Sequence, residues 1–195
     1  MMNLIFASNN KGKLVEVQSL ISNNIKVISM KDAGINVDIP EPFHTFQENA
    51  YAKASCINKL TNSNCFAEDS GLIVPALNGD PGVFSARYAG EPSNDQNNNE
   101  KLIRKIKKVA DKTAYYQSVI CLILNDKTYY FEGKCEGTIA DEPKGDGGFG
   151  YDPLFIPKGY DQTFGELSLE VKNTLSHRGK AMKPFVEFLN RDFKD

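Results

Sequence analysis

The sequence predicts an α/β fold. Three observations carry that expectation: a strand–helix–strand opening, a pair of long β-rich runs joined by a polar triplet, and amphipathic helices distributed between the strands. Leu4-Ile5-Phe6-Ala7 is a short apolar run with strand character, broken by Ser8-Asn9-Asn10. Leu14, Val17, Leu20 and Ile21 then recur at helical spacing, so a helix is expected over about residues 11–22. Lys26-Val27-Ile28-Ser29 reads as the second strand and completes a βαβ unit.

Two prolines mark Asp38 to His44 as a loop. Thr45 is an N-cap candidate with Glu48 three places on, and Phe46, Ala50, Ala54 and Ile57 give the next helix one apolar face as far as Leu60. Cys65-Phe66-Ala67 is a strand expected to end at Glu68-Asp69-Ser70-Gly71 and to resume over Leu72-Ile73-Val74. Asn78 to Pro92, rich in Gly and Pro, is expected to be an ordered loop. Asn94 to Lys108 follows as a surface helix whose Asn97-Asn98-Asn99 start is solvated. Ala114 to Leu124 and Thr128 to Ile139 form an antiparallel hairpin about Asn125-Asp126-Lys127. A glycine-rich loop runs from Asp141 to Pro153, before a short strand at Leu154-Phe155-Ile156. Helices close the chain at about 166–175 and 176–191. Pro184 falls inside the second, so that helix either kinks there or starts later.

Composition narrows the functional classes. A net charge of −2 over 195 residues argues against a broad nucleic-acid surface. The four cysteines form no C-x-x-C pair, and with only two histidines a His-rich metal site is excluded; reduced thiols fit a cytoplasmic protein. The start lacks the pattern of a signal peptide, and the longest apolar run, Val119 to Leu124, is far short of the ~20 residues of a membrane span. With no internal repeat or dividing linker, 1–195 is expected to be a single domain.

Five features carry chemistry. Ser8-Asn9-Asn10-Lys11-Gly12-Lys13 lies between strand one and helix one, where unpaired N–H groups and the helix dipole suit phosphate. By itself it is also an ordinary strand–helix turn with a solvated lysine. Glu68-Asp69-Ser70-Gly71 lies at a strand end, where ligands of α/β sheets gather; Asp69 could ligate Mg²⁺, orient a water, or bond its own backbone in a turn. Gly145 to Pro153 holds Phe149 and Tyr151 among glycines, a stacking platform for a base or a flexible loop tip. Lys172 and Ser176-His177-Arg178-Gly179-Lys180 place cations at a helix start, where an anionic or acceptor-rich ligand, or plain solvent, would compensate them. Asn49 and Lys53 form an i,i+4 pair, with Lys53 at the border of the apolar face, reaching phosphate or water; Glu41 in the preceding loop could join Asp69 around a metal.

Together and in this order, Phe6 to Lys13, Thr45 to Ala54, Ala67 to Gly71, Gly79 to Gly90, Gly147 to Pro153 and Ser176 to Ala181 resemble the inosine triphosphate pyrophosphatase family. Glu68 stands where an aspartate is common in that family and Phe84 where a tyrosine is common; Pro42 follows Glu41. The resemblance implies an elongated two-lobed α/β fold with a long mixed β-sheet flanked by helices and a central substrate cleft. It implies a homodimer that hydrolyses ITP, dITP or XTP to the monophosphate and pyrophosphate with Mg²⁺. Carried onto this chain, Ser8, Asn9, Asn10, Lys11, Gly12, Lys13 and Lys53 would contact the triphosphate. Asp69 would be the catalytic acid–base residue and a metal ligand, Glu41 the second ligand, and Ser70 a substrate contact. Phe149, Gly150, Tyr151, Asp152, Lys172, His177 and Arg178 would form the nucleoside pocket. Two other functions stay open: a Maf-like pyrophosphatase of modified nucleotides and a non-catalytic nucleotide sensor.

Overall fold

In the computed structural model, which describes residues 2–21 and 25–192, alternation along the strands sorts side chains onto two faces of one mixed sheet. Its strands are β1 (Met2–Phe6), β2 (Ile25–Ser29), β3 (Cys65–Ile73), β4 (Thr113–Leu124), β5 (Lys127–Ile139) and β6 (Phe155–Pro157), in the order β2-β1-β3-β4-β5-β6. β1 runs parallel to β2, with Leu4 opposite Val27, and parallel to β3, with Ile5 opposite Cys65. β5 and β6 are antiparallel. The helices are α1 (Lys11–Leu20), α2 (Phe46–Thr61), α3 (Asp95–Ile106), α4 (Leu169–Leu175) and α5 (His177–Asp192). Among the described residues, no helix is long and apolar enough to cross a membrane.

Two compact units divide the chain: Met1–Asp69 with Ser118–Gly133 and Arg178–Asp195, and Ser70–Gln117 with Lys134–His177. In the first unit the period of two is clear. Leu4, Phe6, Phe66, Ile120 and Leu122 face Val17 of α1 and Met182 and Phe185 of α5. Ile5, Ala7, Cys65, Ala67, Cys121 and Ile123 face Ala50, Ala54 and Ile57 of α2. The small residues on the second face let α2 lie close to the sheet, while on the first face Phe6 and Phe66 stack at 4.6 Å. Burial pushes the thiols of Cys65 and Cys121 up to about 12.

The second unit has its own core of Leu72, Leu102, Ile106, Tyr116, Phe155, Phe164 and neighbours. Two 3-10 turns, Pro75–Leu77 and Gly82–Arg87, give the Gly/Pro-rich segment its order.

Helix ends follow their local chemistry. Asn10, Thr45, Asn94 and Ser168 cap α1 to α4, each side chain accepting from the amide three residues on. The hairpin turn is Asn125-Asp126, both at positive φ, which is what a two-residue connection between twisted antiparallel strands requires. Three expectations are corrected. β3 does not end at Glu68: it continues through Ser70 and Gly71 as one strand, because ladder pairing overrides the polar quartet. Helix α5 starts at His177 and passes through Pro184, so a later start is excluded. Asn98 is not solvated; it is 2% exposed and bonded on both sides. Residue 22, expected at the end of the first helix, lies outside the described residues.

Candidate active site

In the first unit, α1, α2 and β3 bring cations and carboxylates together out of water. Lys53 on α2 is buried, and its ammonium bonds both Glu41 and Asp69, the latter at 3.0 Å. Burial by itself would push Lys53 down; Asp69 and then Glu41 outweigh it and hold its pKa above the ordinary lysine value. Asn49, one turn before Lys53, fixes the loop that carries Glu41: its amide accepts from Phe43 N at 3.1 Å and donates to Phe43 O at 3.2 Å. The other Asp69 oxygen, Oδ2, is buried without a hydrogen-bond partner among the described residues.

A buried carboxylate oxygen left bare is costly, and a cation or a water proton would relieve it. Among the described residues no three His, Cys, Asp or Glu side chains converge as a complete metal cage. Two carboxylates gathered on one ammonium, one with a spare oxygen, instead suit a hard divalent ion that completes its shell with phosphate and water.

Next to Asp69 along β3, Glu68 is 1% exposed and joins a second network. It accepts from Ser118 Oγ at 2.7 Å and from Arg178 Nε at 3.0 Å, and Lys13 Nζ lies 3.6 Å away. Arg178, itself 1% exposed, also bonds Glu16 of α1. Burial opposes its charge, yet Glu68 and Glu16 raise its pKa. Burial pushes the Lys13 pKa below the ordinary lysine value, and Glu68 offsets only part of that. Ser8, Gly12 and Lys13 are half-buried, whereas Asn9, Asn10 and Lys11 are exposed. Asn10 caps α1 by accepting from Lys13 N at 3.0 Å, and its own amide donates to Ser8 Oγ at 3.2 Å.

The second unit holds a group of aromatics around a buried ion pair. Asp152 Oδ2 accepts from Lys172 Nζ at 2.7 Å and from Phe149 N at 2.8 Å. The Lys172 ammonium lies 5.1 Å from the centre of the half-buried Phe149 ring. His177 stacks on Tyr116 at 4.5 Å, with 8° between ring planes. The loop is no flexible tip. Gly148 has φ +77°, and a Cβ there would meet Asp152 Oδ2 at 2.0 Å, so glycine is required for the carboxylate to reach the Phe149 amide. Tyr151 is buried and donates to Ser85 O at 2.8 Å; it anchors the loop in the core, which leaves Phe149 as the ring with exposed surface. Ser70 is half-buried on β3.

The chain has known relatives in sequence and in fold. The model of the Ham1 family matches residues 4–188. The chain belongs to the Ham1 family. A dITP/XTP pyrophosphatase of Flavobacterium psychrophilum is 46% identical, with 96% of this chain and 98% of that protein covered. A dITP/XTP pyrophosphatase of Porphyromonas gingivalis is 45% identical, with 95% and 96% covered. Among solved structures, a HAM1 protein from Coxiella burnetii matches with a TM-score of 0.90 at 38% identity, covering 98% of this chain and 100% of that one. The Ham1 protein of Staphylococcus aureus matches with a TM-score of 0.88 at 39% identity, covering 97% and 99%.

For this Ham1 chain, Glu41, Lys53 and Asp69 are one hydrogen-bonded group, and Phe149, Asp152 and Lys172 are another. Arg178, expected at the base, directs Nε, Nη1 and Nη2 at the carboxylates of Glu68 and Glu16. Sequence reasoning missed Glu16, Ser118 and Tyr116, and it singled out Asn49 and Glu68 without the partners the structure gives them. Glu16 and Asn49 carried a signal, since each is a polar residue on the inward face of an amphipathic helix, a position that demands a buried partner.

Proposed function

We propose that this protein is a Mg²⁺-dependent pyrophosphatase that hydrolyses nonstandard purine nucleoside triphosphates (ITP, dITP and XTP) to the monophosphate and pyrophosphate. The observation that carries the chemistry is Asp69: a buried carboxylate with one oxygen held by Lys53 and the other bare. The relatives named dITP/XTP pyrophosphatase, similar over nearly their full length, supply the substrate class.

The residues divide the work by charge. Lys53 fixes the Asp69 carboxylate in one orientation, so Oδ2 meets the attacking water as a proton acceptor. The α1 N-terminus and Lys13 meet the triphosphate, whose charge favours the protonated lysine that burial alone opposes. Glu68, held by Arg178 and Ser118, keeps Lys13 in place before substrate arrives. Glu41 and Asp69 would hold Mg²⁺; when bound, it offsets phosphate charge and lowers the pKa of a coordinated water. Ser70 contacts substrate. Phe149 offers its ring to the purine, with Gly150, Tyr151, Asp152, Lys172 and His177 shaping the pocket around it. We read the whole chain as one catalytic domain, acting as a cytoplasmic homodimer.

The test is pyrophosphate release from ITP, XTP, dITP, GTP, ATP and dTTP, with and without Mg²⁺. Mg²⁺-dependent release of pyrophosphate and monophosphate from the first three, well above the others, is expected. Orthophosphate and a diphosphate from ITP would rule out this reaction, and preference for a modified pyrimidine nucleotide would point to a Maf-like enzyme.

A further inference from the structure

Helix α3 offers two polar side chains to the backbone N–H and C=O of one residue in the glycine-rich loop. Asp95 Oδ2 accepts from Gly150 N at 2.8 Å, and Asn99 Nδ2 donates to Gly150 O at 2.9 Å. Asp95 and Asn99 are four residues apart, hence on one face of α3. The backbone between those two bonds belongs to a glycine at φ +62°, flanked by Phe149 and Tyr151. Both polar groups of one residue are thus fixed by one helix turn.

That turn is itself immobilised. Asn98 Oδ1 accepts from Ala89 N at 2.7 Å and its Nδ2 donates to Ala86 O at 3.0 Å. Leu102 and Ile106, continuing the Asn98 face at i+4 steps, are fully buried. Asn99 pays for its bond: its Oδ1 is buried with no hydrogen-bond partner among the described residues. An unsatisfied acceptor of that kind disfavours the folded state, so its presence marks the Gly150 contact as one the fold retains at a cost.

We propose that Asp95 and Asn99 are positioning residues for base selection: by holding the backbone on both sides of Gly150 they set the place of the Phe149 ring. This rests on the assignment of Phe149 to the purine. Neither residue touches substrate; both act through Gly150. The same role accounts for Asn98 and Asn99 at the start of α3, both of which make side-chain bonds outside the helix.

The experiment compares Asp95→Ala, Asn99→Ala, Asp95→Asn and Phe149→Ala with the unaltered full chain, measuring kcat and KM for ITP and ATP and the melting temperature. For each of the two positioning alanine variants, the KM for ITP should rise about 3- to 10-fold, the worth of one hydrogen bond, with kcat within about 2-fold. The ITP-over-ATP ratio of kcat/KM should narrow with it. Asp95→Asn keeps an acceptor and should recover most of the loss. Should Asp95→Ala melt too early to assay, Asn99→Ala decides alone. An unchanged ratio in both alanine variants, while Phe149→Ala narrows it, overturns the positioning role. An unchanged ratio in Phe149→Ala shows instead that the purine assignment is at fault, and the proposal falls with it.

Discussion

Replacing Arg178 by methionine separates two uses of a buried guanidinium. In the structure Arg178 stands between Glu68 and Glu16, three side chains that are 1%, 1% and 4% exposed. Methionine fills similar volume but supplies no donor, so two carboxylates are left buried without their main cation. Breaking a buried pair by removing one partner costs about 3–5 kcal/mol. For a chain of this size each kcal/mol lowers Tm by about 2–4 °C, so a drop of about 6–20 °C is expected. Adding Glu16→Gln removes one stranded charge and should return about 1–3 kcal/mol of that loss. Calorimetry on the wild type, both single variants and the double variant gives the coupling directly. Kinetics on the same proteins should show loss of kcat/KM for ITP and ATP alike, through misplacement of Glu68 and Lys13. A Tm within about 2 °C of wild type, together with a collapsed ITP-over-ATP ratio, would refute this. Arg178 would then leave its carboxylates to read the 6-oxo group of the base, as donors alone could do.

Three further outcomes are expected. Asp69→Asn keeps shape and an acceptor for Lys53 but loses the proton-accepting charge; turnover should fall at least ~100-fold at unchanged fold, and near-normal turnover at saturating Mg²⁺ would remove Asp69 from the chemistry. Lys13 is held below its ordinary pKa by burial, so the free enzyme loses this cation as pH rises through a value under 10.5, and kcat/KM falls with it; Lys53, shifted the other way, contributes no such limb. Lys13→Arg, which stays charged, should move the alkaline limb to higher pH, and a pH profile that keeps its limb would assign it to another group. Gly148→Ala must hold an L-residue at φ +77° and displace Asp152; it should cost about 1–2 kcal/mol or more, read as an earlier melt, and raise the KM for ITP.

What the sequence showed depended on how far apart the partners lie. The Thr45 cap with Glu48, the βαβ opening and the turn at Asn125-Asp126-Lys127 are set by neighbours within a few residues and were legible from spacing, although Lys127 itself opens β5. Lys53 was placed at the edge of an apolar face, and that edge is where it meets Glu41 and Asp69. Arg178 shows where such reasoning stops. Its partners are 110 and 162 positions away, and nothing in Ser176 to Lys180 records that a strand and another helix will bring carboxylates to it. A basic turn looks the same in sequence whether its charge meets ligand, solvent or a buried carboxylate. The Asn97-Asn98-Asn99 run failed differently: polarity suggested solvent, but Asn98 continues the Leu102 and Ile106 face, and periodicity was the better guide.

The two thiols held near 12 have a consequence for handling and for survival in an oxidising cell. At neutral pH a thiol with that pKa is ionised to only about one part in 10⁵, against a few per cent for an ordinary cysteine. Species that need the thiolate, electrophiles and peroxides, find Cys65 and Cys121 protonated as well as buried. Cys135 is buried too, which leaves Cys56, half-exposed on α2 three residues after Lys53, as the sulfur a mild alkylating reagent should reach first. A single spectroscopic label would then sit one helical turn from the ammonium that joins Glu41 to Asp69, without any cysteine having to be engineered away.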